Sequence, residues 1–275
     1  MGTHKRRKWM NYPDHYSYSQ LNEHCGKKLW FKYLDPRKIK PPPTVAMCFG
    51  NVFEHGVNSI LEYEYLKTKK DLFLAGVIRE KINSYSDILT GSEFKELESK
   101  EERLNLLVTH YASQIDYEPL YLQRKISLKI KDIARPFTGF IDIIAKRGDQ
   151  LVVIDLKTKE KKPSSAQYGW IQQLCIYAIW CHLEFHLDRL PATENHLMVS
   201  RKTGYEFVKY DNWISEKDVS EVITGAQDLE NRVENSYFPL NRGHMLCQKK
   251  WCGFYDECHK DFNIPDHEIY RSFSV

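Results

Sequence analysis

The pattern of apolar and polar positions divides the chain into a mainly helical first part and a strand-rich middle. Apolar residues recur at helical spacing from Val45 to Leu66, which predicts an amphipathic helix. The charged segment that follows, through residue 116, keeps this helical character, most clearly from Phe94 to Ile115. We therefore expect residues 17–116 to be mainly helical.

Short apolar runs rich in β-branched residues fill the middle of the chain and predict a sheet. The predicted strands are Leu120–Ile130, Phe137–Ala145, Leu151–Leu156, His196–Ser200 and Tyr205–Tyr210. Two helices are expected around them, at 164–185, where Ser164 and Gln167 form a capping box, and at 215–235. The sequence thus predicts one α/β domain, with residues 117–212 as its core and 213–275 as a C-terminal helix and cysteine-rich segment.

The two central strands are joined by a tight turn, Arg147–Gln150. Glycine stands at the first central position, as a two-residue type II′ hairpin requires, so the two end residues of the turn pair. Counting outward, Asp142 then lies opposite Asp155, with both side chains on one face about 5 Å apart. Lys157, two residues beyond Asp155, points to the same face.

One face of this hairpin therefore carries two acids and a lysine within otherwise apolar strands. Opposed carboxylates repel each other, so a fold has little reason to bring them together without a cation between them. Carboxylate oxygens suit a hard cation such as Mg²⁺, which activates a water for attack on a phosphodiester. The lysine can orient that water or stabilise the developing charge. The alternative is an exposed hairpin end with scattered charges.

Composition narrows the class of protein. Of the 275 residues, 42% are hydrophobic and 28% are charged, as in soluble globular proteins. No run approaches the roughly 18 apolar residues of a membrane span, and no apolar secretory signal follows the basic start. The net charge of +3 permits a local basic surface, with Lys5–Lys8 and Lys157–Lys162 as candidates. Each of these is more often a solvated tail or loop.

Three of the seven cysteines crowd into twelve positions near the C-terminus: Cys247, Cys252 and Cys258. An odd number of cysteines without an export signal argues against a disulfide framework and favours thiolate ligation of a metal or cluster. The sequence offers several fourth ligands, namely Cys25, Cys48, His244 and His259. The alternative is that these cysteines are incidental and simply pack among aromatic residues.

Taken together, these residues resemble the RecB-like branch of the PD-(D/E)XK nuclease superfamily. The similarity is greatest to its iron–sulfur members, the CRISPR-associated RecB-like exonucleases and the AddB nuclease domain, and it leaves open that this chain is a phage or viral member. It extends from about residue 17 to 260 and depends on the order of its features. Four of these features follow one another along the chain: His55 in the segment Gly50–Gly56, Gly139 to Asp142, Asp155-Leu156-Lys157, and Gln173 to Tyr177. The fifth is a set of cysteines, with Cys25 before these features and Cys247, Cys252 and Cys258 after them.

The resemblance implies a restriction-endonuclease-like core, a central mixed sheet flanked by helices, with an N-terminal helical region and a C-terminal cysteine cluster. It implies that Mg²⁺ or Mn²⁺ is held by His55, Asp142, Asp155 and the Leu156 carbonyl. It also implies that Lys157 is the catalytic lysine, with Gln173 and Tyr177 positioning the DNA strand or the lysine. The implied 4Fe–4S cluster is held by Cys25, Cys247, Cys252 and Cys258, and zinc is the lesser alternative.

Two positions depart from the family pattern. Four residues separate Cys247 from Cys252, where the family usually has two, so His244 or His259 is the alternative ligand. Gln123 stands about where the strand before Asp142 often carries a glutamate.

The implied function is a metal-dependent DNA exonuclease acting on single-stranded ends in recombination, repair or CRISPR-type end processing. A helicase, recombination or CRISPR adaptation protein is the implied partner. The expected location is the cytoplasm of a bacterial, archaeal or phage-infected host cell, with no membrane partner. Two alternatives remain open: a structure-selective or duplex endonuclease of the same superfamily, and a non-catalytic nucleic-acid-binding protein with a structural metal site.

Overall fold

The computed structural model describes residues 12–23, 25–68, 71–201, 204–241, 243, 245, 247–249 and 251–262. The basic segment Lys5–Lys8 and the candidate ligand His244 lie outside these residues. Within the described ranges, no helix has both the length and the apolar character needed to cross a membrane.

The N-terminal part is helical, as the apolar pattern predicts. Its helices are α1 (Tyr18–Leu21), α2 (Gly26–Tyr33), α3 (Val45–Glu64), α4 (Leu74–Asn83), α5 (Gly91–Glu98) and α6 (Glu101–Ala112). The segment from Phe94 to Ile115 is helical as predicted, and the structure divides it, because α5 ends at Glu98 and α6 begins at Glu101. Both helices bury leucines in the apolar cluster that α3 shares with the sheet.

Five strands form one mixed sheet in the order β1-β2-β3-β4-β5. The strands are β1 (Glu118–Leu128), β2 (Phe137–Arg147), β3 (Gln150–Lys159), β4 (Ala192–Arg201) and β5 (Gly204–Asn212). All neighbours pair antiparallel except β3 and β4, which are parallel. A parallel pair needs a crossover connection, and α7 (Tyr168–Glu184) supplies it. Two further helices follow, α8 (Glu216–Glu234) and α9 (Tyr255–Phe262).

Helices cover both faces of the sheet. Helices α3 to α6 pack on one face, and α7 and α8 pack with α1 and α2 on the other. Along β3, Val152 and Ile154 belong to the first apolar cluster and Val153 belongs to the second. Since side chains alternate along a strand, Asp155 shares the face of Val153 and points toward α7. The fold thereby places the central acid between the sheet and that helix.

The starts of two elements differ most from the predicted ones. Helix α7 begins at Tyr168 without a side-chain cap, so the predicted capping box at Ser164 does not form. The carbonyl of Pro163 instead accepts a 2.6 Å hydrogen bond from the Tyr210 hydroxyl, which holds this segment as a loop. Strand β4 begins at Ala192 rather than at residue 196. Its first half is polar but buried, so the apolar pattern could not show it.

Candidate active site

The hairpin of β2 and β3 has the predicted register. Arg147 lies opposite Gln150, and the pairing continues as far as Ile143 opposite Ile154. Gly148 has a φ of +59° while the next residue does not have a positive φ, as a type II′ turn requires. The turn therefore determines the register of the hairpin, and with it the residues that come next after the last pair, Ile143 and Ile154.

Asp142 and Asp155 are those next residues, and the strands no longer pair there. Instead, the backbone N–H of Leu156 donates a 2.7 Å hydrogen bond to Oδ2 of Asp142. A carboxylate thus takes the place that a backbone carbonyl holds in a continuous ladder. The β2–β3 ladder therefore ends at the two acids.

Asp155 is fully buried, and both of its carboxylate oxygens have donors. Lys157 Nζ donates to Oδ1 at 2.7 Å, and Asn195 Nδ2 donates to Oδ2 at 2.7 Å. Lys157 also donates to Gln173 Oε1 at 3.3 Å, and Gln173 Nε2 donates to the Tyr177 hydroxyl at 2.9 Å. Of the predicted pair on α7, Gln173 contacts Lys157 directly and Tyr177 holds the Gln173 amide. The pair thereby orients the ammonium group of Lys157.

Helix α3 brings a further acid to this cluster. Glu54 Oε1 accepts a 2.6 Å hydrogen bond from Gln123 Nε2, which also lies 3.5 Å from Asp142 Oδ1. One turn earlier, a Cβ on Gly50 would lie 3.3 Å from Thr158 Oγ1, so this face of α3 packs against the end of β3. Residues four apart share a helix face, and Glu54 is therefore directed at the site.

His55, the residue that the resemblance implies as a ligand, is exposed on α3. On the same helix Val52 and Ser59 are buried whereas Tyr63 is also exposed, so His55 lies outside the buried face of α3. The preceding residue, Glu54, is the one whose hydrogen bond reaches Gln123.

The other residues predicted for the site meet through the contacts given above. They are Asp142, Asp155, Leu156, Lys157, Gln173 and Tyr177.

Burial and like charge raise the pKa values of the clustered acids. Burial raises the pKa of the Asp142 carboxyl well above its usual value, and the Asp155 and Glu54 carboxylates raise it further. Burial also raises the pKa of Asp155 and of Glu54, although Lys157 opposes both shifts. Burial lowers the pKa of Lys157, but the Asp155 and Asp142 carboxylates outweigh it, so the net shift is upward. The cluster therefore favours a bound proton or cation.

The donor chemistry of this cluster fits a hard divalent ion. Among the residues that the structure describes, no three His, Cys, Asp or Glu side chains are arranged to hold an ion by themselves. Mg²⁺ does not need three, because it is usually bound by one or two carboxylates and keeps waters or substrate phosphates as its other ligands. Asp142 and Asp155, with Glu54 nearby, satisfy that requirement.

A second cluster lies at the meeting of the chain ends, where Cys25, Cys247, Cys252 and Cys258 line one cavity. None of these four cysteines is in a disulfide. Burial and, to a smaller extent, the other three thiols raise the pKa of Cys258 to about 11. His259 lines the same cavity. The remaining cysteines (Cys48, Cys175 and Cys181) are buried in the two main apolar clusters.

Close backbone approaches hold this cavity together. A Cβ on Gly26 would lie 2.6 Å from Pro239, and a Cβ on Gly253 would lie 2.6 Å from Pro41. Each glycine is next to a cavity cysteine, so its lack of a side chain lets the two chain ends pack closely. Arg37 adds ion pairs to Asp35 on its own segment and to Glu257 and Asp261 on α9.

Two residues of the site were not predicted from the sequence: Glu54, which accepts from Gln123, and Asn195, which donates to Asp155. The i, i+4 spacing of Gly50 and Glu54 was the available signal for the first. Asn195 had no comparable signal, because it reaches Asp155 only through the parallel pairing of β3 with β4.

The comparison with known families agrees with this geometry. A family model described as the PD-(D/E)XK nuclease superfamily matches residues 15–259. The chain therefore belongs to the PD-(D/E)XK nuclease superfamily, and the predicted fold class is confirmed. No curated protein matches the sequence.

Solved structures give similarity at the level of the fold. A crystal structure of a protein from Eubacterium rectale, named "Putative exonuclease", is 9% identical with a TM-score of 0.56, and the match covers 100% of this chain and 99% of that chain. At this identity the similarity concerns the fold alone. The crystal structure of SSO0001 is 14% identical with a TM-score of 0.37, over 87% of this chain and 92% of that chain.

Proposed function

We propose that this chain is a metal-dependent deoxyribonuclease and that it acts as an exonuclease on single-stranded DNA ends. The observation that carries the proposal is the 2.7 Å contact of Lys157 Nζ with Asp155 Oδ1, beside Asp142, in a chain of a nuclease superfamily. A nucleic-acid-binding module needs no such pair of acids held against a lysine. The contact therefore supports hydrolysis over binding alone.

Mg²⁺ or Mn²⁺ would be held by Asp142, Asp155 and the Leu156 carbonyl. Helix α3 would supply one further ligand, either Glu54 or His55. When bound, such an ion supplies Lewis-acid activation of water and neutralises charge on the phosphate. Asn195 fixes the Asp155 carboxylate, since its amide donates to Oδ2 at 2.7 Å.

Lys157 stays protonated at neutral pH because its pKa is raised. Its ammonium can then donate to the attacking water or to a phosphate oxygen. Gln173 accepts one of its hydrogen bonds, and Tyr177 in turn accepts from Gln173, so the two side chains hold the lysine in place.

The choice of exonuclease over endonuclease follows the name of the Eubacterium rectale protein, which has the same fold. The pathway we propose is end processing in recombination, repair or CRISPR-type adaptation, with a protein of that pathway as partner. An endonuclease of the same superfamily is the second candidate, because the same acid–lysine cluster can hydrolyse a phosphodiester bond at a strand end or within a strand.

One assay separates these functions. End-labelled single strands and covalently closed single-stranded circles of the same sequence are incubated with Mg²⁺, Mn²⁺ or chelator. We expect nucleotides to be released from the linear strand only, and only with metal. Asp155→Asn and Lys157→Ala should each lower the rate by about 100-fold or more. Lys217→Ala, which removes an exposed lysine paired with Glu221 on α8, is the matched control and should retain activity.

The outcomes are distinct. Equal cleavage of the circles would favour the endonuclease. DNA binding without cleavage under any metal condition would favour the binding module.

We also propose that Cys25, Cys247, Cys252 and Cys258 hold a 4Fe–4S cluster. Four sulfurs around one zinc ion, at about 2.3 Å each, would stand only about 3.8 Å apart. Among the described residues no three potential ligands are arranged for a single ion. In a 4Fe–4S cluster each cysteine binds a different iron, so the four sulfurs surround a larger body. Four thiols that line one cavity meet that requirement.

A further inference from the structure

Strand β1 contains a backbone anomaly at Gln123. Its φ is +47°, in the left-handed region that non-glycine residues adopt rarely and strands normally exclude. The residues on either side of it pair regularly with Ile143 and Ile141 of β2, but Gln123 does not pair with Asp142. The ladder is thus interrupted opposite the acid of the candidate active site.

The anomaly directs the Gln123 side chain at two acids from different elements. Its Nε2 donates a 2.6 Å hydrogen bond to Glu54 Oε1 on α3 and lies 3.5 Å from Asp142 Oδ1 on β2. A side-chain amide offers two donors and carries no charge. Gln123 can therefore bridge two carboxylates without adding a cation that would compete with a metal ion.

Sheet stability does not account for this conformation. A residue held in a sparsely populated region costs about 1–3 kcal/mol and persists only where its surroundings enforce it. An extended residue at this position would restore the ladder pairing, and a glycine would adopt the same φ at little steric cost. The glutamine has neither advantage, so its contribution lies in what its side chain contacts.

We propose that Gln123 is a positioning residue that holds the Glu54 carboxylate against Asp142, so that the acids gather around one divalent cation. The inference rests on the proposed nuclease function and deepens it. An acid at position 123 would add a further carboxylate to a cluster that is already strongly acidic. The neutral Gln123 amide instead holds the two carboxylates close together without neutralising their charge, which remains available to bind the cation.

Two substitutions separate positioning from folding. Gln123→Gly removes the side chain but tolerates the left-handed backbone, so its Tm should stay at or above that of Gln123→Ala, which keeps the strained φ. Both should raise the Mn²⁺ concentration for half-maximal cleavage by about tenfold, as loss of an outer partner of a metal ligand does. Mn²⁺ titration by calorimetry, which needs no turnover, should show the same tenfold loss.

Asp132→Gly is the matched control, because Asp132 also has a positive φ, +64°, but is exposed in the turn after β1. It should leave both metal titrations unchanged. Gln123→Met keeps the side-chain length without the donor and gives the same comparison if the glycine variant fails to fold.

The results distinguish the two hypotheses. Wild-type protein that cleaves DNA, together with a folded Gln123→Gly variant that binds Mn²⁺ normally, overturns this inference and leaves the nuclease function standing. Weakened Mn²⁺ binding in the variant, together with a wild type that cleaves nothing, supports the positioning role and overturns the nuclease proposal.

Discussion

The backbone N–H of Leu156 donates a 2.7 Å hydrogen bond to Oδ2 of Asp142 at the point where the β2–β3 ladder ends. The Asp142 carboxylate therefore joins β2 to β3 where their backbone pairing ends, and it also belongs to the acidic cluster. Its pKa is raised well above the usual value by burial and by the Asp155 and Glu54 carboxylates. The Asp142 side chain consequently affects both the stability of the protein and the proposed metal site.

Asp142→Asn should stabilise the metal-free protein at neutral pH. A carboxyl whose folded-state pKa lies above its unfolded value of about 3.9 contributes stability that is complete below that pH. The contribution is lost as pH rises through the folded pKa. The asparagine removes this loss and retains an oxygen for the Leu156 N–H. We expect a Tm higher by about 2–4 °C at pH 7 with chelator, and no Mn²⁺-dependent stabilisation.

Thermal unfolding of both proteins from pH 4 to pH 8 checks this prediction. The difference in Tm should grow with pH. Asp149→Asn, at the exposed hairpin turn, is the control and should show no such trend. A constant difference across the range would contradict the assigned pKa direction.

Glu54 and His55 can be compared directly because they are neighbours on α3. Glu54 hydrogen-bonds Gln123 beside Asp142, whereas the His55 side chain is exposed. We expect Glu54→Gln to raise the Mn²⁺ concentration for half-maximal activity by about 10- to 100-fold. His55→Ala should leave it nearly unchanged. The reverse ranking would make His55 the ligand, as the resemblance implies.

Iron content should follow the four cavity cysteines. Changing any one of Cys25, Cys247, Cys252 or Cys258 to serine should lower bound iron and reduce solubility, because cluster binding contributes folding free energy. Cys48→Ala is the control, since that thiol is buried elsewhere. Elemental analysis with visible absorbance measures the outcome. Zinc in place of iron, with Cys247→Ser unaffected, would indicate His259 or His244 as the fourth ligand.

Glu194, which precedes Asn195 on β4, should govern acid stability. It is almost fully buried and bonds His196 Nε2 at 2.8 Å as well as Arg147. Burial alone would raise its pKa, but these partners outweigh burial and lower it to about 2. A depressed pKa contributes stability above the unfolded value that is lost as pH falls toward the folded value.

Glu194→Gln should therefore reduce the free energy of unfolding by about 2 kcal/mol at pH 7 and by much less near pH 2. Urea denaturation at the two pH values measures this difference. Glu206→Gln removes an exposed pair to Lys162 and is the control, for which we expect little change at either pH because solvent screens that pair. Equal losses at both pH values would show that Glu194 acts through packing rather than charge.

The sequence by itself determined the hairpin register and the bounds of several helices. The register follows from a glycine turn and from strand alternation, both of which involve only residues close in the chain. The prediction of one face for Asp142, Asp155 and Lys157 needed nothing more. For the same reason α3 and α8 lie close to their predicted bounds.

Only the tertiary structure decided which neighbouring side chains complete the site. Helical periodicity does not by itself say whether Glu54 or His55 faces the sheet, because that depends on where α3 packs. Asn195 meets Asp155 through a parallel pairing across a crossover helix, which leaves no local mark in the sequence. The strain at Gln123 likewise depends on contacts between β1, β2 and α3, because no local preference of glutamine favours that conformation.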